Sequence, residues 1–300
     1  IVLVPTANTY TFTASIAANS SDSGNGGSAT DAAYQVSVGP EAVVPLVGFG
    51  AGTFNTGTFN VGSIASFSLR QWSQSNFGED LIFGPRGGAP YYWDATNSVS
   101  TRGVALSSLG GASNTPVVQN LVFVSDINRF VFCFGTNALG TTTQDPLLFR
   151  WSDQENAANW TPSATNQAGS LRLSRGTKIV AVEQSNQAVN IWTDSSLYNL
   201  QFLGGQAVFG AELIGDNISI ASQNAVAFAN GVSYWMGNDR FYKYDGRVQT
   251  LNCSLLRYII NDINTVQLDQ VFAGTNKEFN EVWWFYCSSG STTVDKYVIY

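Results

Sequence analysis

The chain has 300 residues, a length that buries a substantial core without disulfide or metal support. Only 12% of the residues are charged, against about 25% in ordinary soluble domains, while 13% are aromatic. This composition excludes a disordered chain and a helical bundle and favours a β-rich protein. The sequence contains no histidine, which excludes Ser-His and Cys-His catalysis, and its net charge of −7 disfavours tight binding to duplex DNA.

The first part of the chain mixes strand patterns with glycine-rich segments. Residues 9–13 alternate polar and aromatic side chains, which predicts a half-buried strand. Farther along, Phe49, Phe54 and Phe59 recur every five residues among glycines, a spacing that keeps a single face on neither a helix nor a strand. We interpret residues 1–66 as an N-terminal β and Gly-rich loop segment, part of a platform or insertion domain, with the three phenylalanines as anchors.

From residue 67 onward, short aromatic strands alternate with turns. The third strand of each successive set is marked by Trp93, Phe149, Tyr198, Tyr242 and Val298, which are 56, 49, 44 and 56 residues apart. Four-stranded propeller blades repeat at about 40 to 50 residues. We therefore predict an all-β protein with a β-propeller-like domain over residues 67–300, incomplete at its C-terminus. A β-sandwich with long loops is the alternative. A helix over residues 255–262 is ambiguous.

Two tryptophans bracket a polar turn in the most distinctive stretch, residues 150–160. Trp151 and Trp160 could stack on sugar rings or contact a partner protein, as could the Phe49, Phe54 and Phe59 loop. The alternative interpretation is that both indoles pack inside a hairpin that connects two blades. We therefore interpret five residues as possible interface or glycan-stacking positions: Phe49, Phe54, Phe59, Trp151 and Trp160.

Signals for catalysis are weak. Glycoside hydrolysis needs two facing carboxylates, and the available acidic residues, which flank strand ends, are Glu79, Asp80, Asp153, Glu155 and Glu183. Residues 84–88 lack the Lys-Ser/Thr pair of a phosphate-binding loop and are interpreted as a tight turn. Cys133, Cys253 and Cys287 lie in apolar or strand-like runs and are interpreted as buried structural thiols. We predict no catalytic residue, no metal site and no cofactor.

The first and last residues of the sequence also allow a prediction. The chain opens on Ile1 without an initiator methionine and closes on Tyr300 without a turn or polar tail. We expect it to be an internal piece of a longer polypeptide, and we find no signal peptide and no membrane-spanning segment in it.

Several blocks of sequence resemble bacteriophage tail structural proteins, most closely the nozzle component, of the tail tubular protein B type, of short-tailed phages. The blocks that carry this resemblance are residues 72–80, 150–155, 170–174, 234–237 and 242–247. The resemblance implies a propeller-containing virion subunit without enzymatic activity, usually in a hexameric ring around a central channel. It also implies portal and adaptor partners, retention and ejection of DNA without sequence-specific binding, and assembly in the host cytoplasm.

Two other functions stay open at the level of sequence. A carbohydrate-binding or receptor-binding tail module would use exposed aromatic rings as sugar platforms. A propeller glycosidase acting on host surface glycans would need a carboxylate pair in a pocket.

Overall fold

The computed structural model describes residues 2–6, 9–12, 42–43, 69–186, 188–205 and 207–300, and for residues 2–6 and 9–12 it describes the backbone only. The chain divides into two compact units, residues 1–37 and residues 38–300. In the first unit, β1 (Val2–Thr6) pairs antiparallel with β2 (Thr9–Phe12). The predicted strand at residues 9–13 is therefore confirmed.

The described residues of the second unit form five antiparallel sheets in chain order, which we call blades 1 to 5. The strands of blade 1 are β3 (Trp72–Phe77), β4 (Asp80–Pro85), β5 (Tyr91–Trp93) and β6 (Val104–Ala105). Those of blade 2 are β7 (Leu121–Val124), β8 (Val131–Phe134), β9 (Leu148–Trp151) and β10 (Gly169–Arg172). Those of blade 3 are β11 (Ile179–Gln184), β12 (Val189–Thr193), β13 (Ser196–Phe202) and β14 (Phe209–Asp216).

Blade 4 consists of β15 (Val226–Ala229), β16 (Val232–Met236), β17 (Phe241–Tyr244) and β18 (Val248–Thr250). Blade 5 consists of three described strands, β19 (Phe272–Asn276), β20 (Glu281–Tyr286) and β21 (Lys296–Ile299). One α-helix, α1 (Leu256–Asp262), and the 3₁₀ helix Thr265–Gln270 connect blades 4 and 5, and a second 3₁₀ helix covers Leu106–Ser108.

The first strand of each blade lies beside the first strand of the next. β7 contacts β3, β11 contacts β7, β15 contacts β11 and β19 contacts β15. Consecutive meander sheets that meet along their first strands form a β-propeller, with those strands innermost. The predicted propeller is therefore confirmed, and the β-sandwich alternative is wrong because each sheet contains only consecutive strands.

The cores lie between blades because strands in the middle of the series, such as β8, β9 and β12, bury both of their faces. In β8, Val131 and Cys133 pack in the core shared with blade 1, whereas Phe132 and Phe134 pack in the core shared with blade 3. Successive side chains point to opposite faces of a strand, so a strand packed on both sides is apolar throughout. A third core, built around Trp192, Trp235 and Trp284, joins blades 3, 4 and 5.

Hydroxyl side chains satisfy backbone groups where two blades meet. The backbone N–H groups of Val122 and Val124 donate to Ser73 Oγ at 2.8 Å and Ser75 Oγ at 3.1 Å, which links β7 to β3. A buried N–H without a partner would cost about 1–3 kcal/mol. Neutral serine side chains therefore satisfy these buried backbone groups, and no charged residue is needed there.

Most strand predictions agree with this architecture. All five marker residues lie in the third strand of their blades. The first strand of blade 1 was predicted to begin near residue 67, but it begins at Trp72. The ambiguous segment 255–262 is helical over Leu256–Asp262. Of residues 84–88, Gly84 and Pro85 end β4, and Pro85 to Gly88 form the predicted tight turn, in which Gly87 has a φ of +75°. The predicted boundary at residues 66/67 falls in a part of the chain outside the described residues and stays a prediction.

A small polar contact joins the turn after β4 in blade 1 to the 3₁₀ helix that precedes blade 5. Arg86, in the turn after β4, forms an ion pair with Asp269 at 2.7 Å between Nη2 and Oδ2. The same guanidinium donates to Leu69 O at 2.6 Å and to Gln71 Oε1 at 3.2 Å, and Gln71 Nε2 donates to Asp269 O. Arg86 and Asp269 are about three-quarters buried, so this pair is better shielded from water than an ordinary surface pair.

The first prediction concerns this contact. Asp269→Asn should lower the free energy of unfolding by about 1 kcal/mol, because the charge-assisted bond to Arg86 is lost. Urea denaturation of D269N, R86Q and the double variant measures the coupling. The matched control is D239N, because Asp239 pairs with its neighbour Arg240 in the open and should contribute close to nothing. Equal effects of D269N and D239N would contradict the assigned role.

Candidate functional site

Blade 5 carries a row of aromatic rings on the side that faces away from blade 4. In β20, Val282, Trp284 and Tyr286 are buried against blade 4, so Trp283 and Phe285 point to the opposite side. Phe272 stacks on Phe285 with ring centroids 4.7 Å apart, and Trp283 stacks on Tyr297 at 5.0 Å. We call these four residues, Phe272, Trp283, Phe285 and Tyr297, the blade 5 face. Tyr297 is 57% exposed and Phe272 41% exposed.

Blade 1 has a similar surface on the side that faces away from blade 2. Ile82 is buried in the core shared with blade 2, and the neighbouring Phe83 points the other way. Phe83 stacks between Trp72 at 6.4 Å and Tyr91 at 5.6 Å, and we call these three residues the blade 1 face. A groove of about 540 Å³ runs along this face, and Trp93 and Arg102 also line it.

These two faces are at opposite ends of the blade series. In blades 2, 3 and 4 the equivalent faces are covered by the next blade, and their aromatic residues are buried. Within the described part of the chain, no aromatic contact joins the blade 1 face to the blade 5 face. Contiguous exposed aromatic patches of this kind mark interaction surfaces.

A second candidate site is a cavity among the inner strands of blades 3, 4 and 5. Its volume is about 440 Å³, and it is lined by Val182, Glu183, Gln223, Asn224, Val226, Phe272 and Ala273. The backbone fixes its wall, because Asn224 bridges to Phe272 and its carbonyl accepts from Ala273 N at 2.7 Å.

Glu183 is the acidic group of this cavity. It is on β11 opposite Asn190 in the register, and its Oε2 atom is buried without a hydrogen-bond partner among the described residues. Burial raises the pKa of Glu183 to about 8, although a hydrogen bond with Ser233 partly opposes the shift. Ser233 also accepts from Asn190 Nδ2 at 3.1 Å, so a buried polar network continues into blade 3.

The predicted residues Trp151 and Trp160 need a correction. They are only 5% and 1% exposed, because Trp151 packs in the core between blades 2 and 3 and Trp160 in the core between blades 1 and 2. Their indole N–H groups donate to Gln167 O at 2.7 Å and Ala157 O at 2.8 Å. The buried Arg150 lies over the Trp160 ring. Neither ring offers a free face to a sugar or a partner. Phe49, Phe54 and Phe59 lie outside the described residues.

The five candidate carboxylates are distributed over three blades. Asp80 accepts hydrogen bonds from Tyr92 OH and Ala95 N, and Asp153 accepts from Gln154 N and Gln167 N. Glu155 is exposed and pairs with Arg129, while Glu79 lies in the turn between β3 and β4. Asp80 and Asp153 thus hold turns together, whereas Glu183 lines the cavity among blades 3, 4 and 5.

Cysteines, metals and membranes add little to the candidate sites. The prediction of buried thiols is confirmed for Cys133 and Cys287 and is wrong for Cys253, which is half-buried. Burial raises the pKa of the Cys133 and Cys287 thiols. Across the ranges that the structure describes, no cluster of three or more His, Cys, Asp or Glu residues is arranged to hold a metal ion. Within the same ranges, no helix has the length and hydropathy required to cross a bilayer.

Comparison with known proteins gives distant structural similarity only. No family model and no curated protein matches the sequence. An extracellular domain from B. thetaiotaomicron is 15% identical with a TM-score of 0.44, over 74% of this chain and 26% of that one. Kluyveromyces marxianus Hsv2 is 7% identical with a TM-score of 0.38, over 76% and 64% of the two chains. BBS1N in complex with ARL6DN is 8% identical with a TM-score of 0.42, over 78% and 66%.

The matches cover only part of the other chains, and their TM-scores are low. This chain spans about a quarter of the B. thetaiotaomicron chain and just under two thirds of Hsv2. Because every TM-score is below 0.5, the similarities carry no argument about function. The assignment of the propeller depends on the order and contacts of the sheets in this chain.

The second prediction concerns the pH dependence of stability. An unfolded Glu has a pKa of about 4.3, whereas that of Glu183 in the folded chain is about 8. Between these values the folded chain retains a proton that the unfolded chain loses, so stability falls as pH rises from about 4 to 8. Glu183→Gln should remove this decline and stabilise the chain at pH 8 by on the order of 1–3 kcal/mol.

Urea denaturation at several pH values checks this prediction. E155Q is the matched control, because Glu155 is an exposed carboxylate in a turn. An unchanged pH slope in E183Q would show that Glu183 is ionised in the folded protein and would contradict the prediction.

Proposed function

We propose that this chain is a non-enzymatic structural subunit of a bacteriophage tail, of the nozzle type. In this role it forms part of a ring-shaped channel through which DNA is retained and ejected. The proposal includes a homo-oligomeric, hexameric ring, contacts with portal, adaptor and other tail proteins, and a place in the virion.

The observation that carries the proposal is a pair of aromatic faces, on blades 1 and 5, that no neighbouring blade covers among the described residues. Trp283, Phe285 and Tyr297 on one face, with Trp72 and Phe83 on the other, are the kinds of side chain that the inner blades bury. A propeller whose terminal faces are apolar is best stabilised when protein covers them. Aromatic residues are enriched, and charged residues depleted, at the centre of protein interfaces.

The composition supports the same role. With 12% charged residues, the chain lacks the evenly charged surface that keeps a monomeric domain soluble. A net charge of −7 also suits a conduit, because an acidic wall repels phosphate groups and lets DNA slide rather than adhere.

The sequence blocks that resemble nozzle proteins occupy structural positions in the fold. Residues 72–80 form β3 and the turn to β4, and residues 150–155 form the end of β9 and the turn that follows it. Residues 242–247 cover most of β17 and the turn toward β18. These blocks form strands and turns of the blades, which is what we expect of a subunit whose role is structural.

The third prediction tests assembly through the blade 5 face. Tyr297→Asp should lower the fraction of chains in oligomers at least tenfold, because it puts a charge into an apolar contact. Size-exclusion chromatography with light scattering measures this fraction, and circular dichroism checks folding. The control is Leu139→Asp, which changes another exposed apolar residue in blade 2, away from both faces. A wild-type chain that stays monomeric at all concentrations, or equal loss in both variants, would contradict the proposal.

A carbohydrate-binding tail module is a second candidate, favoured by the groove on the blade 1 face. The groove combines Trp72 and Trp93 with polar residues such as Gln74 and Thr101. Aromatic faces beside hydrogen-bonding groups suit a ligand with apolar and polar sides.

A glycan array decides between the two candidates, and it provides the fourth prediction. Under the structural role, we expect no saturable glycan binding by the wild-type chain. Saturable binding that is lost in Trp72→Ala and kept in Tyr297→Ala would overturn this expectation and establish the sugar site in the groove.

A further inference from the structure

The cavity at Glu183 combines features that suit a small cationic ligand. Its acidic side chain lies on β11, its amide side chains, Gln223 and Asn224, precede β15, and its apolar wall includes Val182 and Val226. Three first strands, from blades 3, 4 and 5, thus contribute to one cavity of about 440 Å³.

Glu183 is hydrogen-bonded to Ser233, but its second carboxyl oxygen is left without a partner among the described residues. Glu183 Oε2 is buried and accepts no hydrogen bond in the described part of the chain. Of the ion pairs formed between described residues, none includes Glu183. Buried polar atoms are almost always partnered, so an orphaned carboxylate oxygen next to a cavity indicates a missing donor.

The side-chain amides of Gln223 and Asn224 also suit a small cationic ligand. Neither amide makes a hydrogen bond to another described residue, although the backbone of Asn224 is bonded to Ser222 and Ala273. Their amide oxygens, together with the Glu183 carboxylate, provide three acceptor groups. An alkylammonium group has three N–H donors, and its hydrocarbon stem matches a wall made of valines.

We propose that this cavity is a binding site for a primary alkylammonium group, with Glu183 as the counter-ion and the amide oxygens of Gln223 and Asn224 as further acceptors. Negative charge on the carboxyl attracts the cation, and the cation in turn holds the carboxyl in its ionised form. The site does not depend on the assembly proposed above, because all of its residues belong to one chain.

Proton linkage gives the site a specific signature. Because burial keeps Glu183 mostly protonated at neutral pH, binding of the ammonium group expels that proton to the buffer. Binding should therefore weaken about tenfold for each pH unit below the pKa of Glu183. A ligand held only by the apolar wall would show neither effect.

The fifth prediction is that n-butylammonium chloride binds the wild-type chain saturably, with a Kd of about 1 mM or tighter. Isothermal titration calorimetry at pH 7 in phosphate and in MOPS buffer should show release of close to one proton per ligand. 1-Butanol, which has the same stem without the charge, should not bind.

Nα-acetyl-lysine methylamide is measured in parallel to identify the source of the ammonium group. Binding equal to that of the amine assigns the site to a lysine side chain of a partner, and exclusion assigns it to a free amine.

Three variants make the test decisive. Glu183→Gln should abolish binding, and Asn224→Ala, a change at an exposed side chain, should weaken it several-fold without affecting folding. Glu155→Gln should bind like the wild type. Absence of saturable binding to the wild-type chain, binding without proton release, or equal binding by E183Q would each overturn the proposal.

Discussion

Face-to-face packing of sheets that are apolar on both sides is the constraint on which the rest of this structure depends. β8 illustrates it, since Val131 and Cys133 face one neighbouring blade and Phe132 and Phe134 the other. A sheet of this kind cannot be stable alone in water, because both of its apolar faces would be exposed. Each blade therefore requires a blade on either side, and among the described residues no further blade is stacked on the outer side of blade 1 or of blade 5.

The low charge of the sequence follows from the same constraint. Surfaces between blades cannot hold solvated ions, so their polar needs are met by neutral side chains, such as Ser73 and Ser75 for the backbone of β7. Arg150 is an instructive exception. It is 2% exposed, and carbonyl oxygens of Asn114 and Trp160 accept from its guanidinium. Glu183 is the contrasting case, a buried acidic group with one oxygen left without a partner.

Much of the architecture was predictable because strands and turns leave local signals. The five aromatic markers each fall in the third strand of a blade, since alternation and turn dipeptides depend on neighbouring residues only. The start of β3 was misplaced because the polar residues Ser73 to Ser75 break the apolar pattern. Their role appears only when β7 lies beside them, and no local pattern carries that information.

The candidate sites were harder to predict from sequence. The polar turn between Trp151 and Trp160 was compatible with either stacking on a ligand or packing inside the protein, and the structure shows that both rings are packed in cores. The consecutive aromatic residues Trp283, Trp284, Phe285 and Tyr286 were a usable signal, because alternation must place two of them on each side of β20. Which side remains uncovered depends on the position of the blade in the series. Glu183 was recognised as an acidic candidate, but its cavity is assembled from three blades and has no signature in any one segment.

In the proposed assembly, protein covers the blade 1 face and the blade 5 face. A cryo-EM structure of the intact particle that contains this chain tests it most directly. The account predicts that the rings of Trp283, Phe285 and Tyr297, and those of Trp72 and Phe83, are buried against protein and surround a channel wide enough for DNA. Density showing both faces open to solvent, or the chain as a monomer away from the DNA path, would contradict it.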